Sequence, residues 1–392
     1  MVHILLGVSS GIAIYKTVDL VSKLRKENFE IDVIMTKNAA KLLSPTVFSA
    51  VGNCNVYTDI FNVSGGYITH TELSKKTNLF LLAPATANTI AKISNGFADN
   101  LLTTTVLAIP NSTPKALVPT MNTRMYENKI TIENIEKLKR FGWYIIEPDV
   151  GHLACGDIGK GRYPENTKII ETIKLILEEK KLKGKKVLVT AGPTYEQIDP
   201  IRYITNHSSG KMGYAFAKVA KRMGAYVTLI SGPTNIKPPY FIDNFIKVTS
   251  ANEMYNEIIK RYHDFDIIVM SAAVADFTPK KKEKNKIKKS NKDLLTLELE
   301  RTKDILKEIS KKKSKDQIII GFAAETQNII EYGKEKLEKK GVDCIIANNA
   351  LKVMGNENAE AFLITKKQTL TFEGSKEKIA KEVLSFISSN NI

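Results

Sequence analysis

The chain has 392 residues and a formal net charge of +16 at pH 7, because 58 lysine and arginine residues outnumber 42 aspartate and glutamate residues. Its composition, 43% hydrophobic and 26% charged, is typical of globular domains and excludes a collagenous or fully disordered chain. The length predicts two or three domains at about 150 residues each. No apolar run approaches the roughly 20 residues of a membrane-spanning helix, so we expect no membrane association.

Three cysteines, Cys54, Cys155 and Cys344, form no CxxC pair. The N-terminal residues lack the basic segment of a signal peptide and favour a first β-strand. Both observations favour a cytoplasmic, reducing location, where disulfides are rare. In such a compartment, a cysteine with a special role is more often catalytic than structural.

The predicted elements begin in the same way in both halves of the chain. Each half opens with a short apolar strand, a glycine-containing turn, an amphipathic helix and a second strand. These are residues 2–6, 7–11, 12–26 and 31–35 in the first half, and 187–190, 191–194, 211–223 and 226–230 in the second. The pattern is the start of a doubly wound parallel sheet. We therefore predict an α/β protein with two Rossmann-like domains, 1–183 and 184–392, joined at the charged stretch 178–186.

Further strands are predicted where short apolar runs are bounded by polar residues. They are residues 79–83, 115–119 and 144–147 in the first half, and 267–270, 318–320 and 344–347 in the second. Helices are predicted after Pro84 and over residues 326–340. Residues 362–365 and 369–372 are predicted to form a closing hairpin.

Three loops of the first half have the composition of phosphate-binding turns: residues 7–11, 83–89 and 96–102. Backbone N–H groups at a helix N-terminus, with hydroxyl groups beside them, bind phosphate well. Each loop alone is equally typical of a tight turn or an ordinary helix start. Their combination on one sheet favours a ligand site.

Three polar side chains in this half are candidates for chemistry: His70, Asn122 and Cys155. A lone histidine is more often structural, and a lone cysteine is more often an inert apolar residue. Cys155 differs because four glycines lie between residues 151 and 161. Such a segment is unlike a packed core element and predicts a mobile flap that carries an accessible thiol.

Four motifs occur in order: VSSGIA from residue 8, PATAN from residue 84, PTMN from residue 119 and LACG from residue 153. Together they resemble the flavin-containing cysteine decarboxylases, specifically phosphopantothenoylcysteine decarboxylases. The resemblance implies that FMN takes a hydride from the cysteine β-carbon of the substrate and returns it after CO2 is lost. It implies that His70 is a base, Asn122 anchors the substrate carboxylate and Cys155 donates a proton. The residues implied in FMN binding are Ser9, Ser10, Gly11, Thr36, Pro84, Ala85, Thr86, Asn88, Ala98 and Asp99.

In the second half, a long loop at residues 190–210 precedes a predicted helix, and the small residues 271–277 follow a predicted strand. Loops longer than a dozen residues are usually functional or disordered, although serines before a helix are also ordinary caps. The tract at residues 280–289 holds seven lysines and one glutamate. Alone, it is most typical of a solvated loop or a nucleic-acid-binding segment.

The motifs DPIRYITNHSSGKMG, AAVAD, KIKK and GFAAET, in this order, resemble the phosphopantothenate–cysteine ligases. The resemblance implies CTP as nucleotide, an acyl-cytidylate intermediate and displacement of CMP by L-cysteine. It implies that Asn206 stabilises or processes this intermediate and that Lys286 offsets charge on the reacting phosphates. Mg2+ would be held mainly by the CTP phosphates, with protein ligands unknown. Other implied contacts are Arg202, Ser208, Ser209, Gly210, Met270, Ser271, Ala272, Asp276, Thr302, Lys303 (where the family often has proline), Asp304, Ile305, Phe322, Lys336 and Lys340.

The two resemblances together imply consecutive reactions on 4′-phosphopantothenate, L-cysteine and CTP, as in coenzyme A biosynthesis. They also imply a homo-oligomer, with trimers of the flavin domain and dimers of the ligase domain. An alternative is a flavin-dependent oxidoreductase of the same fold without ligase activity, but no GxGxxG turn for a dinucleotide is present. A nucleic-acid-binding protein is a third possibility, but the tract at 280–289 contains no aromatic residue for base stacking. We therefore interpret the positive charge partly as attraction for anionic small molecules, at Lys286, Lys336 and Lys340.

Overall fold

The computed structural model describes residues 1–61, 69–288, 295–353, 356 and 358–389. The chain divides into two compact units, Met1–Leu177 and Glu178–Ile392. The boundary predicted at residue 183 lies inside the second unit. Each unit has its own sheet and hydrophobic clusters and is described by itself.

The first unit is built on a parallel sheet of six strands in the order β3-β2-β1-β4-β5-β6, the order of doubly wound dinucleotide-binding folds. Two further strands, β7 and β8, form an antiparallel hairpin. The strands are β1 His3–Val8, β2 Glu30–Met35, β3 Val56–Tyr57, β4 Leu79–Ala85, β5 Lys115–Pro119, β6 Tyr144–Ile145, β7 Asp149–His152 and β8 Ile158–Arg162. The helices are α1 Ile14–Lys26, α2 Lys37–Leu42, α3 Pro45–Gly52, α4 Thr69–Lys76, α5 Ala87–Ser94, α6 Leu101–Ala108, α7 Thr123–Tyr126, α8 Lys129–Arg140 and α9 Asn166–Leu177.

The central strands β1 and β4 are buried along their whole length. Strands covered by helices on both faces carry continuous apolar runs, which explains the sequences HILLGV and LFLLAPA. Alternate residues of β1 pack into the hydrophobic clusters on opposite faces of the sheet. Leu6 packs with Leu20 and Leu24 of α1, whereas Leu5 packs with Leu102 of α6.

The second unit is built on a sheet of eight strands in the order β13-β12-β9-β14-β17-β18-β19-β20, in which only β19 and β20 are antiparallel to their neighbours. Two small antiparallel pairs, β10–β11 and β15–β16, lie outside it. The strands are β9 Lys186–Ala191, β10 Tyr195–Gln197, β11 Tyr203–Thr205, β12 Tyr226–Ser231, β13 Asn244–Lys247, β14 Ile267–Met270, β15 Phe277–Pro279, β16 Leu299–Arg301, β17 Ile318–Glu325, β18 Cys344–Asn349, β19 Asn358–Thr365 and β20 Thr369–Ser375. The helices are α10 Lys211–Arg222, α11 Ala251–Ile259, a 3-10 turn Tyr262–Asp264, α12 Ile305–Lys312, α13 Ile329–Lys340, α14 Ala350–Val353 and α15 Lys376–Ser389.

Helix α10 lies very close to β9 at Gly213. A Cβ atom at this position would lie 2.7 Å from the carbonyl oxygen of Thr190 and 2.6 Å from the Cβ of Ala191. Nearby on the same helix, Phe216 is fully buried and packs edge-on against Phe322, with ring centroids 5.7 Å apart. The start of α10 is therefore fixed against the carboxyl end of β9.

The predicted fold class, two doubly wound α/β domains, is confirmed. The predicted strands and the closing hairpin are present, but β17 extends five residues beyond its predicted end and β19 begins four residues before its predicted start. Helix α13 begins at Ile329 rather than at residue 326, because Asn328 before it adopts a left-handed conformation with φ 47°. The segment around Cys155, predicted as a mobile flap, is the β7–β8 hairpin. Across the described residues, no helix is long and apolar enough to span a membrane.

The contact at Gly213 gives a test of the packing between α10 and β9. Replacing glycine by alanine inside a helix normally stabilises it by roughly 1 kcal/mol. For Gly213→Ala we expect the opposite, a loss of about 1–3 kcal/mol, because the new methyl group overpacks this contact. Urea unfolding followed by circular dichroism measures the change. Asn256→Ala, at an exposed position of α11, is the control and should shift stability by less than about 0.5 kcal/mol. A stabilised Gly213→Ala variant would contradict the packing constraint.

Candidate functional site

Two of the three predicted loops of the first unit, residues 7–11 and 83–89, are joined at the carboxyl edge of its sheet by Ser9. The Ser9 Oγ donates a hydrogen bond to the carbonyl oxygen of Pro84 at 2.7 Å and accepts one from the backbone N–H of Thr86 at 2.9 Å. Ser9 is fully buried. Its hydroxyl therefore links the loop after β1 to the loop after β4. The expected contact of Ser9 with FMN stays a prediction.

The N-terminus of α1 differs from the other helix starts around this edge. Thr36 accepts a hydrogen bond from the N–H of Ala39 and caps α2, and Thr86 caps α5. Asn100 caps α6 through a reciprocal pair of bonds with Thr103. Helix α1, which follows Ser10 and Gly11, begins without a side-chain cap. The N–H groups of Ile14 and Lys16 donate to the carbonyl oxygens of Gly11 and Ala13 at 3.0 and 2.9 Å. What this helix start offers an anion is therefore mainly the positive end of the helix dipole.

The remaining predicted flavin contacts lie on the loops beside this helix start. Ala85 is buried, and the Ala83–Pro84 peptide bond is cis. Asn88, Ala98 and Asp99 are exposed. Asp99 forms an ion pair with Lys92 of α5, and this partner lowers the pKa of the Asp99 carboxyl.

Cys155 lies exposed at the turn of the β7–β8 hairpin, next to Asn122. The Asn122 Nδ2 donates to the Cys155 Sγ at 3.0 Å and to the Asp157 Oδ2 at 3.1 Å. The Asn122 Oδ1 accepts from the N–H of Arg124 at 2.8 Å, which fixes the orientation of the amide. Asp157, whose Oδ2 is 3.5 Å from the Cys155 Sγ, was not identified from the sequence, because nothing in the glycine-rich run marks it.

The hairpin that carries Cys155 rests on the segment that carries Asn122. The N–H of Met121 donates to the carbonyl oxygen of Gly161 at 3.1 Å. A Cβ at Gly159 would lie only 2.3 Å from the Thr123 Oγ1, so the glycine permits the close approach. The glycines therefore serve packing between these two segments.

At the other two cysteines, burial disfavours the thiolate form. Burial raises the pKa of the half-buried Cys54 to about 11. Cys344 on β18 is fully buried, and burial raises its pKa further. The thiolate is the reactive form of cysteine, and burial disfavours it at Cys54 and Cys344. Cys155, which is exposed, is therefore the cysteine best placed to react.

His70 lies half-buried near the start of α4. Residues 62–68 before it lie outside the described part of the chain. Within that part, His70 makes no hydrogen bond to Asn122 or Cys155. Its expected role as a base stays a prediction.

In the second unit, one cavity of about 1020 Å³ lies between the start of α10 and the carboxyl ends of β14 and β17. The strand order reverses between β9 and β14, and ligands of doubly wound folds bind at such a switch point. All predicted contacts except Arg202 and Lys286 line it: Asn206, Ser208, Ser209, Gly210, Met270, Ser271, Ala272, Asp276, Thr302, Lys303, Asp304, Ile305, Phe322, Lys336 and Lys340. Lys339 and Lys376 also line it and were missed, because no motif marks them.

Hydroxyl and amide groups hold the loop after β14 in this cavity. The Thr190 Oγ1 accepts from the N–H of Ala272 at 3.1 Å, and the Thr302 Oγ1 donates to the carbonyl oxygen of Ala275 at 2.7 Å. The Asn206 Nδ2 donates to the carbonyl oxygens of Ala273 and Val274 at 3.3 and 3.2 Å. Asn206 is thereby held against the loop whose small residues line the cavity.

The charges at the cavity are mainly lysines. Burial, and then the charge of Lys340, lowers the pKa of Lys336. The Lys340 Nζ lies 2.5 Å from the Asp304 Oδ2, while the Asp304 Oδ1 caps α12. The Lys303 Nζ lies 4.1 Å from the ring centroid of Tyr255, so its charge is directed toward an aromatic face. Within the described residues, no group of three or more His, Cys, Asp or Glu side chains is arranged to hold a metal ion.

Arg202 and Lys286 lie outside the cavity lining. The Arg202 guanidinium is bonded to Asp199 and to the carbonyl oxygen of Ile287, where a direct substrate contact was expected. Lys286 is exposed in the lysine tract, of which Lys289 lies outside the described residues.

Comparison with known proteins identifies the family. The family model described as Flavoprotein matches residues 1–178, and the model described as DNA/pantothenate metabolism flavoprotein C-terminal domain matches residues 182–390. The coenzyme A biosynthesis bifunctional protein CoaBC of Borreliella burgdorferi is 43% identical over 388 residues, 98% of this chain and 98% of that protein. The CoaBC protein of Bacillus subtilis is 46% identical over 351 residues, 88% of this chain and 86% of that protein. The chain therefore belongs to the family of bifunctional coenzyme A biosynthesis proteins.

Proposed function

We propose that the chain catalyses two consecutive steps of coenzyme A biosynthesis. The first is CTP-dependent ligation of L-cysteine to 4′-phosphopantothenate, and the second is FMN-dependent decarboxylation of 4′-phosphopantothenoyl-L-cysteine to 4′-phosphopantetheine. The observation that carries the proposal is that one chain holds an exposed thiol bonded to Asn122 and, in its other unit, a cavity of nucleotide size lined by lysines. Membership of the family supports both steps.

The start of α1 fits the phosphate of FMN, because no side chain caps it, its dipole favours an anion, and Ser10 and Gly11 lie in the short turn before it. Bound FMN would supply a hydride acceptor and donor for the cysteine β-carbon of the substrate. The chain's own contribution is to hold the phosphate at this helix start and to keep the two adjacent loops together through Ser9. Asn88, Ala98 and Asp99 would border the same cofactor.

The substrate would meet Asn122 and Cys155 at the hairpin. The Asn122 Nδ2 donates its two hydrogens to Cys155 and Asp157, so this amide can hold the carboxylate that leaves as CO2 once the substrate displaces one of these acceptors. The S–H of Cys155 can then give its proton to the electron-rich carbon that decarboxylation leaves behind. Asp157, bonded to both groups, keeps the thiol turned toward the amide. His70 is the proposed base that takes the substrate thiol proton.

The ligase reaction would take place in the cavity of the second unit. Lys336 and Lys340 bring positive charge to it, which favours the triphosphate of CTP. The carboxylate of 4′-phosphopantothenate would attack the α-phosphate, releasing pyrophosphate and forming the acyl-cytidylate. Asn206 would hold this intermediate until the cysteine amine displaces CMP, and Lys286 would offset charge on the phosphates. Mg2+ would enter with CTP and keep phosphate and water oxygens as ligands.

A cytoplasmic location and a homo-oligomer, with trimers of the flavin domain and dimers of the ligase domain, stay predictions. The proposed partners are the three small-molecule substrates.

The role of Cys155 can be tested with Cys155→Ser in the full chain. We expect CO2 release to stop at about one equivalent per bound FMN, because the hydride is not returned and the flavin stays reduced. Formation of 4′-phosphopantetheine should fall at least about 100-fold, because the hydroxyl is a much weaker proton donor than the thiol. Mass spectrometry should detect a product lighter than 4′-phosphopantetheine by H2. CTP consumption should be unchanged, since it belongs to the other unit. Cys54→Ser is the control and should keep both activities. Loss of CTP consumption in Cys155→Ser would contradict two separate sites.

The role of Lys286 can be tested with Lys286→Ala. We expect acyl-cytidylate formation to slow about 100-fold, the usual effect of removing one group that stabilises transition-state charge. Decarboxylation of supplied 4′-phosphopantothenoyl-L-cysteine should be unaffected. Lys284→Ala, two residues away in the same exposed tract, controls for the general loss of positive charge. Unchanged ligation by Lys286→Ala would remove this residue from the mechanism.

A further inference from the structure

The carboxylate of Asp199 is the centre of a hydrogen-bond cluster between two distant segments. Its Oδ1 accepts from the backbone N–H groups of Ile201 and Arg202, both at 2.8 Å. Its Oδ2 accepts from the Arg202 Nε at 3.0 Å and Nη2 at 2.5 Å. The carboxylate and the guanidinium are therefore locked together in a two-pronged ion pair.

This ion pair forms hydrogen bonds with both backbone groups of Ile287 in the lysine tract. The N–H of Ile287 donates to the Asp199 Oδ2 at 3.1 Å, and its carbonyl oxygen accepts from the Arg202 Nη2 at 2.9 Å. A second bond, from the N–H of Glu283 to the carbonyl oxygen of Ile198 at 2.9 Å, ties the same tract to the same loop. We call the ion pair and its two bonds to Ile287 the clasp.

The carboxylate of the clasp is shielded from solvent. Asp199 is only 2% exposed. Arg202, supported by the N–H groups of Ile201, Arg202 and Ile287, holds the pKa of the Asp199 carboxyl well below its usual range. The carboxylate thus stays ionised, and removing it would leave several partly buried donors without this acceptor.

Lys286 and Asn206, two of the residues proposed to act in ligation, lie close to the clasp in sequence. Lys286 is the residue before Ile287. Arg202 leads into β11, which ends one residue before Asn206 in the cavity lining. The clasp therefore sets the distance between the segment that carries Lys286 and the strand that delivers Asn206.

We infer that Asp199 and Arg202 are positioning residues that act on ligation through Lys286, by holding the backbone of Ile287. The inference rests on the proposed ligase function. It assigns a role to Asp199, and it gives Arg202 a role in place of direct substrate contact, because two of the guanidinium nitrogens already bond Asp199 and Ile287.

The test measures acyl-cytidylate formation by the full-length protein with CTP and 4′-phosphopantothenate. We expect Asp199→Asn and Arg202→Lys each to lower the rate at saturating substrates between about 10-fold and 100-fold, the usual cost of a misplaced group. Arg202→Lys keeps the positive charge but cannot bond Asp199 and Ile287 at once. The KM for CTP should change little, since the cavity lining is intact. Glu298→Gln, which removes an exposed carboxylate paired with Lys280 of the same tract, is the control and should keep the full rate.

Combination with Lys286→Ala separates positioning from a direct role. If Asp199 acts through Lys286, Asp199→Asn should cause no further loss in a Lys286→Ala background. Limited trypsin digestion gives a readout independent of catalysis. Cleavage after Lys286 and Lys288 should become faster in Asp199→Asn and Arg202→Lys, while cleavage at Lys311–Lys313 should not.

Three results would overturn the inference: losses that multiply in the Lys286→Ala background, a raised KM for 4′-phosphopantothenate in Arg202→Lys with unchanged trypsin cleavage, or general acceleration of cleavage. The second would show that Arg202 binds substrate directly. If the unmodified protein forms no acyl-cytidylate, the proposed function is wrong instead, and the trypsin pattern still decides whether the clasp holds the tract.

Discussion

The parallel register of the central strands is the constraint on which both sites depend. In the first unit β1 and β4 pair from Ile4 with Leu79 to Gly7 with Leu82, so their following loops leave at the same edge. In the second unit β9 and β14 are aligned in the same way, from Val187 with Ile267 onward. Because parallel strands cannot be joined by tight turns, every such loop is free to carry ligand contacts at this edge.

In both units, a buried hydroxyl group at the carboxyl end of one central strand bonds the loop after the neighbouring strand and so fixes the position of that loop at this edge. The hydroxyl of Ser9, which follows β1, accepts a hydrogen bond from the N–H of Thr86, which follows β4. The hydroxyl of Thr190 on β9 accepts one from the N–H of Ala272, which follows β14. In each unit the hydroxyl is buried and satisfied by the protein itself. The polar groups left for ligands are therefore backbone N–H groups and small-residue loops, whose positions are set by neighbours that do not touch the ligand.

Much of the fold could be predicted from the sequence, because buried parallel strands such as β4 carry continuous apolar runs that are easy to detect. The motifs located the loops, and with them most of the cavity lining. Asp157 and Asp199 could not be found in this way. Asp199 acts on Ile287, a residue 88 positions away, and such a contact leaves no local pattern. The same holds for Arg202. Its place in the DPIRYITNHSSGKMG motif does not show that its guanidinium bonds Asp199 and Ile287.

The hairpin β19–β20 has a consequence for the behaviour of the protein in concentrated solution. It places β20 at the edge of the eight-stranded sheet, where unpaired backbone groups could recruit a strand from another molecule. Glu373 puts charge on that edge. A charged edge is a poor template for a further strand, so this edge of the sheet is protected against edge-to-edge aggregation.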